Sequence, residues 1–167
     1  MANTDLILQL PEFPSPGVSV VANASSWVMG SWVLLAESLA YDIAVIGLQF
    51  QSTYIPASLD TTYEHLFEIG VGPANLEVVK IQLPYSIRQD TVLQYYLTGG
   101  VMLPEGFSIE KGSRVSVRVA NSVATAVTYD AVKLRYQATG VVLSRTSLPN
   151  NYKFPRSAGL SVTEKIR

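Results

Sequence analysis

Residues 67–87 read FEIGVGPANLEVVKIQLPYSI, and residues 99–122 read GGVMLPEGFSIEKGSRVSVRVANS. In the first stretch Phe67, Ile69 and Val71 alternate with Glu68 and Gly70. After the turn residues Gly72, Pro73, Ala74 and Asn75, the residues Val79, Ile81 and Leu83 alternate with Lys80 and Gln82. In the second stretch Lys111-Gly112-Ser113 precedes Val115, Val117 and Val119, which alternate with Ser116 and Arg118. A period of two bounded by Gly, Pro and Asn is the signature of half-buried antiparallel strands joined by turns. No catalytic cluster interrupts it.

The same pattern extends in both directions. Val132, Leu134 and Tyr136 alternate with Lys133, Arg135 and Gln137. Trp32, Leu34 and Ala36 share one face of a strand, with Val33 and Leu35 on the other. Residues 43–50 are apolar on both faces, which predicts a central strand covered on both sides. Residues 18–22 form a short β-branched strand. No stretch sustains a helical period with caps, and residues 38–44 have room for one helical turn at most. Several short strands at even spacing predict an all-β fold, an antiparallel β-sandwich.

The chain has 167 residues, so one domain is expected. It is 48% hydrophobic and 15% charged, the latter well below the ~25% usual for soluble domains. Either a heavily filled core or burial in an assembly accounts for this. No apolar run approaches the ~18 residues of a membrane-spanning helix. Residues 1–10 lack the basic start of a secretory signal. The absence of cysteine removes disulfides and Cys-based metal sites.

Three units are expected. Residues 1–16 read as an extended N-terminal arm with Pro11, Pro14 and Pro16, within which Leu6, Leu8 and Leu10 allow a short edge strand. Residues 17–138 form the sandwich. Residues 139–167 read as an extended C-terminal arm broken by Pro149 and Pro155. Its Arg145, Lys153, Arg156, Lys165 and Arg167 against Glu164 give it a net charge of +4, leaving −5 on residues 1–138. Long structureless segments tend to be functional or linker-like, so docking on a neighbouring subunit is expected. Arg145, Tyr152, Lys153, Phe154 and Arg156 are the candidate partner-binding residues. These cations are too dispersed for a nucleic-acid arm, and contact with an acidic protein surface is the expected use.

Catalytic readings find little support. His65 is the only histidine, and no G-x-S-x-G elbow accompanies it, so it reads as a polar residue at a strand edge. Asp60, Glu64 and Glu68 would meet around a metal only by an accident of loop folding. Paired carboxylates have no context that would raise a pKa. There is no phosphate loop, and Gly70-Val71-Gly72 reads as a turn or bulge. Trp27, Trp32 and the tyrosines at 54, 63, 85, 95, 96, 129 and 136 suit either a sugar-stacking platform or core and subunit contacts, of which the latter is preferred. Asn23-Ala24-Ser25 matches a glycosylation sequon. No catalytic residue, cofactor or metal is expected.

The run from Trp32 to Asn121 resembles a widespread group of small virion proteins of tailed bacteriophages. The likeness rests on Ser31-Trp32-Val33 with Ala40-Tyr41-Asp42, on Phe67-Glu68-Ile69-Gly70-Val71-Gly72, on Glu77-Val78-Val79, and on the stretch from Gly106 to Val119. The last departs from the group's pattern, with Glu110-Lys111 where Pro-Ala is common. The resemblance implies a jelly-roll-like sandwich on the capsid surface that decorates or cements the head. It further implies binding to the major capsid protein, often as a homotrimer, with no nucleic-acid or membrane partner and no catalytic residue. A tail, baseplate or fibre component, or a carbohydrate-binding host-attachment module, is the alternative.

Overall fold

The structure is a computed structural model that describes residues 8–12, 15–52, 62–88 and 97–138. These contain nine strands and no helix: β1 (Leu8–Leu10), β2 (Val18–Val21), β3 (Val33–Ala36), β4 (Ile43–Ser52), β5 (Thr62–Val71), β6 (Val78–Arg88), β7 (Leu97–Ile109), β8 (Val115–Asn121) and β9 (Thr128–Ala138). One sheet has the order β1-β9-β4-β7, with β2 also paired to β9. The other has the order β3-β8-β5-β6. Every pairing is antiparallel. From β2 onward the chain passes to the opposite sheet at every connection except β5–β6. The result is a jelly-roll sandwich. The edge strand expected around Leu8 and Leu10 is β1, and Leu10 is buried in the core. Pro84 is accommodated because β6 lies at a sheet edge, where a missing N–H breaks no ladder.

The alternating valines behave as the sequence implies. Val115, Val117 and Val119 of β8 are fully buried between the sheets, beside Phe67 and Ile69 of the neighbouring β5 and in one core with Leu134. An aromatic cluster fills the middle: the Phe50 ring lies 4.8 Å from Phe67 and 5.7 Å from Tyr129, centroid to centroid. The first pair is tilted and the second edge-on, and aromatic pairs at such spacings contribute beyond the area they bury.

Two expectations require correction. Strand β4 is central, but it is not simply covered on both sides. The register shifts between Val45 and Gly47 against both neighbours. Ile43 and Val45 point inward before this bulge, and Leu48, Phe50 and Ser52 point inward after it. The apolar character of both faces in the sequence thus records a change of phase, which one extra residue in a strand produces. Strand β8 is not cleanly half-buried either. Its outward Ser116 and Ala120 are as buried as its valines, because the outside of this sheet carries a cover of its own, described below.

The registers also fix where the chain ends leave the sandwich. Leu8 pairs with Tyr136, and Ile43 pairs with both Ala138 and Ile109. Val71 pairs with Val78 and Val115, and Gly112 N–H donates to the Leu39 carbonyl at 2.8 Å. Residues 8 and 138 therefore lie at one end of the sandwich, here called the base, together with the β3–β4, β5–β6 and β7–β8 connections. The opposite end, the crown, holds Ser52, Thr62, Asn121 and the 122–127 turn.

Candidate functional site

Even-numbered residues of β5, β6 and β8 face outward, so cross-strand partners in this sheet meet on its exposed side. Glu68 pairs in register with Arg118 on one side and Gln82 on the other. Arg118 Nη2 and Nε donate to Glu68 Oε2 at 2.6 and 2.7 Å, and Gln82 Nε2 donates to Glu68 Oε1 at 2.8 Å. Trp32 lies just before β3 and closes the row: the Arg118 guanidinium carbon is 4.3 Å from its ring centroid.

A second row runs towards the base. Gly70 pairs with Ser116. A Cβ on Gly70 would sit 2.5 Å from the far edge of the Trp32 indole and 3.0 Å from the Glu77 Cβ. Glycine is therefore needed here for close approach of the ring. Gly72, at φ +133°, is needed for the turn itself. That turn brings Glu77 back over the sheet, where Arg114 Nη1 donates to Glu77 Oε1 at 2.7 Å and to Ser116 Oγ at 2.9 Å. Arg114 Nε also reaches Glu37 at 3.3 Å. Burial pushes the Glu77 carboxyl up, but its own backbone N–H, the Arg114 guanidinium and the Ser116 hydroxyl outweigh this and hold it below the usual carboxylate range.

Every ionised group in these rows is matched by an opposite charge or a hydrogen bond. Such an arrangement holds shape; Glu77 Oε2 is buried in it without a hydrogen-bond partner among the described residues. It also explains the Gly70-Val71-Gly72 triplet as a close approach followed by a turn, with a register shift at Ile69/Gly70.

His65 is not at a strand edge. It lies inside the sandwich, 4% exposed, on the same face as Phe67 and Ile69. Its Nδ1 is 2.5 Å from the Tyr129 hydroxyl of the opposite sheet. Desolvation lowers its pKa from 6.5 to about 4. Period-two counting from Phe67 places residue 65 inward, so the sequence did carry this signal.

The acidic residues named from sequence do not gather. Glu68 is committed to Arg118 and Gln82, Glu64 is exposed, and Asp60 lies outside the described residues. Among the described residues no three of His, Asp and Glu are placed to hold a metal. The aromatic residues disperse. Tyr63, Tyr129 and Tyr136 are buried, Tyr85 packs on Phe50 at 5.2 Å, and Trp27 is half exposed at the crown. Tyr54, Tyr95 and Tyr96 lie outside the described residues, as do Arg145, Tyr152, Lys153, Phe154 and Arg156 of the C-terminal arm.

A cleft of about 230 Å³ opens at the base between the outer strands β6 and β7, lined by Val71, Lys80, Phe107, Ile109, Glu110 and Ser113. Around it Leu76, Val78 and Phe107 are 72%, 59% and 37% exposed.

Neither a search of family models nor one of curated proteins returned a match to this chain.

Proposed function

We propose that this chain is a structural protein of a tailed-phage virion, a head decoration (cement) protein that binds the major capsid protein. The observation that carries the reading is convergence. Trp32, Glu68, Gly70, Glu77, Arg114 and Arg118, six of the residues within the motifs that carry the resemblance, form one contact network on the outside of one sheet. They behave as the framework of a shared fold, which supports taking the likeness as structural. The jelly roll is compatible with this role and with others, since fold alone does not assign function.

The mechanism is mechanical. Residues 8 and 138 both lie at the base, the end at which Leu76, Val78 and Phe107 are exposed, so shell and sister-copy contacts are expected there. At ~25 cal/mol per Å² of apolar area, a few hundred Å² per arm gives several kcal/mol gross, before ordering costs. Repetition over a lattice turns such modest terms into resistance to internal pressure. A homotrimer is the expected assembly. Imaging of labelled protein in intact particles tests the reading: the label on the head surface is the expected result, and a label confined to the tail contradicts it.

A second reading, a glycan-binding attachment module, draws on Trp27. This ring is half exposed at the crown, on a left-handed backbone (φ 61°), with Val21 and Val28 exposed nearby. Saturable binding of soluble glycans, abolished by Trp27→Ala without unfolding, would favour it.

A further inference from the structure

The cleft at the base has the features of a docking site for an extended segment. It is lined by Lys80 of β6, by 107–109 of β7, by Val71 of β5 and by Glu110 and Ser113 of the turn after β7; β6 and β7 are the outer strands of their sheets, and among the described residues neither has a strand paired to its outer side. Such edges present backbone donors and acceptors to any chain laid along them. The floor and rim are apolar at Val71, Phe107 and Ile109, and Val78, exposed, is the register partner of Val71.

We propose that this cleft receives the C-terminal segment of a neighbouring copy, with Tyr152 and Phe154 as its apolar anchors. The inference deepens the arm-mediated assembly proposed above and rests on it. The segment starts at the right place, because Ala138 lies at the base, in register with Ile43, which is in turn in register with Ile109 of the cleft.

Spacer length allows docking on a neighbour. From Ala138 to the chain's own cleft is a distance of two strand spacings, roughly 10 Å. Tyr152 follows Ala138 by 152 − 138 = 14 residues, which extended reach about 46 Å. A domain of this size has a radius of gyration of roughly 14 Å. The spacer is several times longer than self-docking needs and long enough to cross onto an adjacent copy.

Charge sets the orientation. The segment carries net +4 and the rest of the chain −5. At the cleft Glu110 is exposed, while Lys80 lines the other side. Arg145, Lys153 and Arg156 therefore face the Glu110 side, with the aromatic rings turned into the cleft.

The chain contains no cysteine, so cross-linking tests this cleanly. Full-length Phe107→Cys and full-length Phe154→Cys proteins, distinguishable by mass, are mixed and oxidised. The expected result is a 107–154 disulfide between the two copies as the dominant covalent species. Homodisulfides alone, or no cross-link, overturn the proposal. So does closure of the link within one chain when both substitutions share a chain. If Phe107→Cys perturbs folding, Val78→Cys with Tyr152→Cys replaces the pair, with the same expected and overturning results. The cross-link forms or fails irrespective of where in a particle the protein resides, so its failure and that of the virion reading are distinguishable.

Discussion

The Trp32 indole lies against the Arg118 guanidinium, 4.3 Å from ring centroid to guanidinium carbon, and its far edge occupies the space above Gly70. The outer face of the β3-β8-β5-β6 sheet is thereby covered by one aromatic ring and the ion pairs of Arg118 with Glu68 and of Arg114 with Glu77 and Glu37. This cover is why Ser116, fully outward in register, is 0% exposed.

Gly70→Ala is expected to destabilise the fold by about 1–3 kcal/mol, because its Cβ drives into the ring edge. Trp32→Ala is expected to cost about 2 kcal/mol, less than the ~3–5 kcal/mol of a fully buried tryptophan, since Trp32 is half-buried. The two are not additive: once Trp32 is alanine, Gly70→Ala costs less, and only the 3.0 Å approach to the Glu77 Cβ remains. A urea double-mutant cycle with a coupling near zero would contradict this contact.

Arg118→Ala removes the cation paired with Glu68, whose side chain is 7% exposed. The expected cost is about 2–3 kcal/mol, below the full penalty for breaking a buried pair, because Gln82 still donates to Glu68. Arg118→Met keeps the contact with Trp32 and leaves the carboxylate unpaired. It should therefore cost nearly as much. Urea midpoints of the three proteins check this, and a fully stable Arg118→Met protein would show that packing alone matters there.

His65 makes stability pH-dependent. Its folded pKa, about 4, lies below the ordinary 6.5, so the unfolded chain binds a proton more readily. Stability is therefore lost as pH falls from about 6.5 towards 4 and levels off below, with a total on the order of 3 kcal/mol. Glu77 acts in a lower window: its pKa is depressed, so its contribution is present above the ordinary carboxylate range and fades as pH falls through its folded value. His65→Leu should lose less stability than the native protein between pH 7 and pH 4.5. Equal losses in urea titrations at the two pH values would contradict the burial of a neutral imidazole.

The strands β5, β6, β8 and β9 were legible in the sequence because each keeps a strict period of two over its buried half. The phase change in β4 was not, since a bulge is set by pairing with Phe107, Met102 and Tyr136 and leaves no local mark beyond Gly47. Trp32 was read as a strand residue of ordinary alternation. Its partners Gly70 and Arg118 come from β5 and β8, and only the sheet order brings them together. His65 was placed at a strand edge because a lone polar residue suggests exposure. Tyr129, its hydrogen-bonding partner, lies in the other sheet, beyond the reach of local pattern. The partner-binding residues of the C-terminal arm lie outside the described residues, and their role rests on length, charge and point of departure.

The central claim is that the protein strengthens a phage head through its C-terminal segment. The temperature at which particles release DNA tests it most directly. Particles carrying the full chain should rupture at a higher temperature than particles without it. Particles offered a chain lacking residues 145–167 should be incompletely occupied and rupture near the lower value, and high salt should weaken binding of that shortened chain less than binding of the full one. Equal rupture temperatures with and without the protein, or full protection by the shortened chain, would contradict the account.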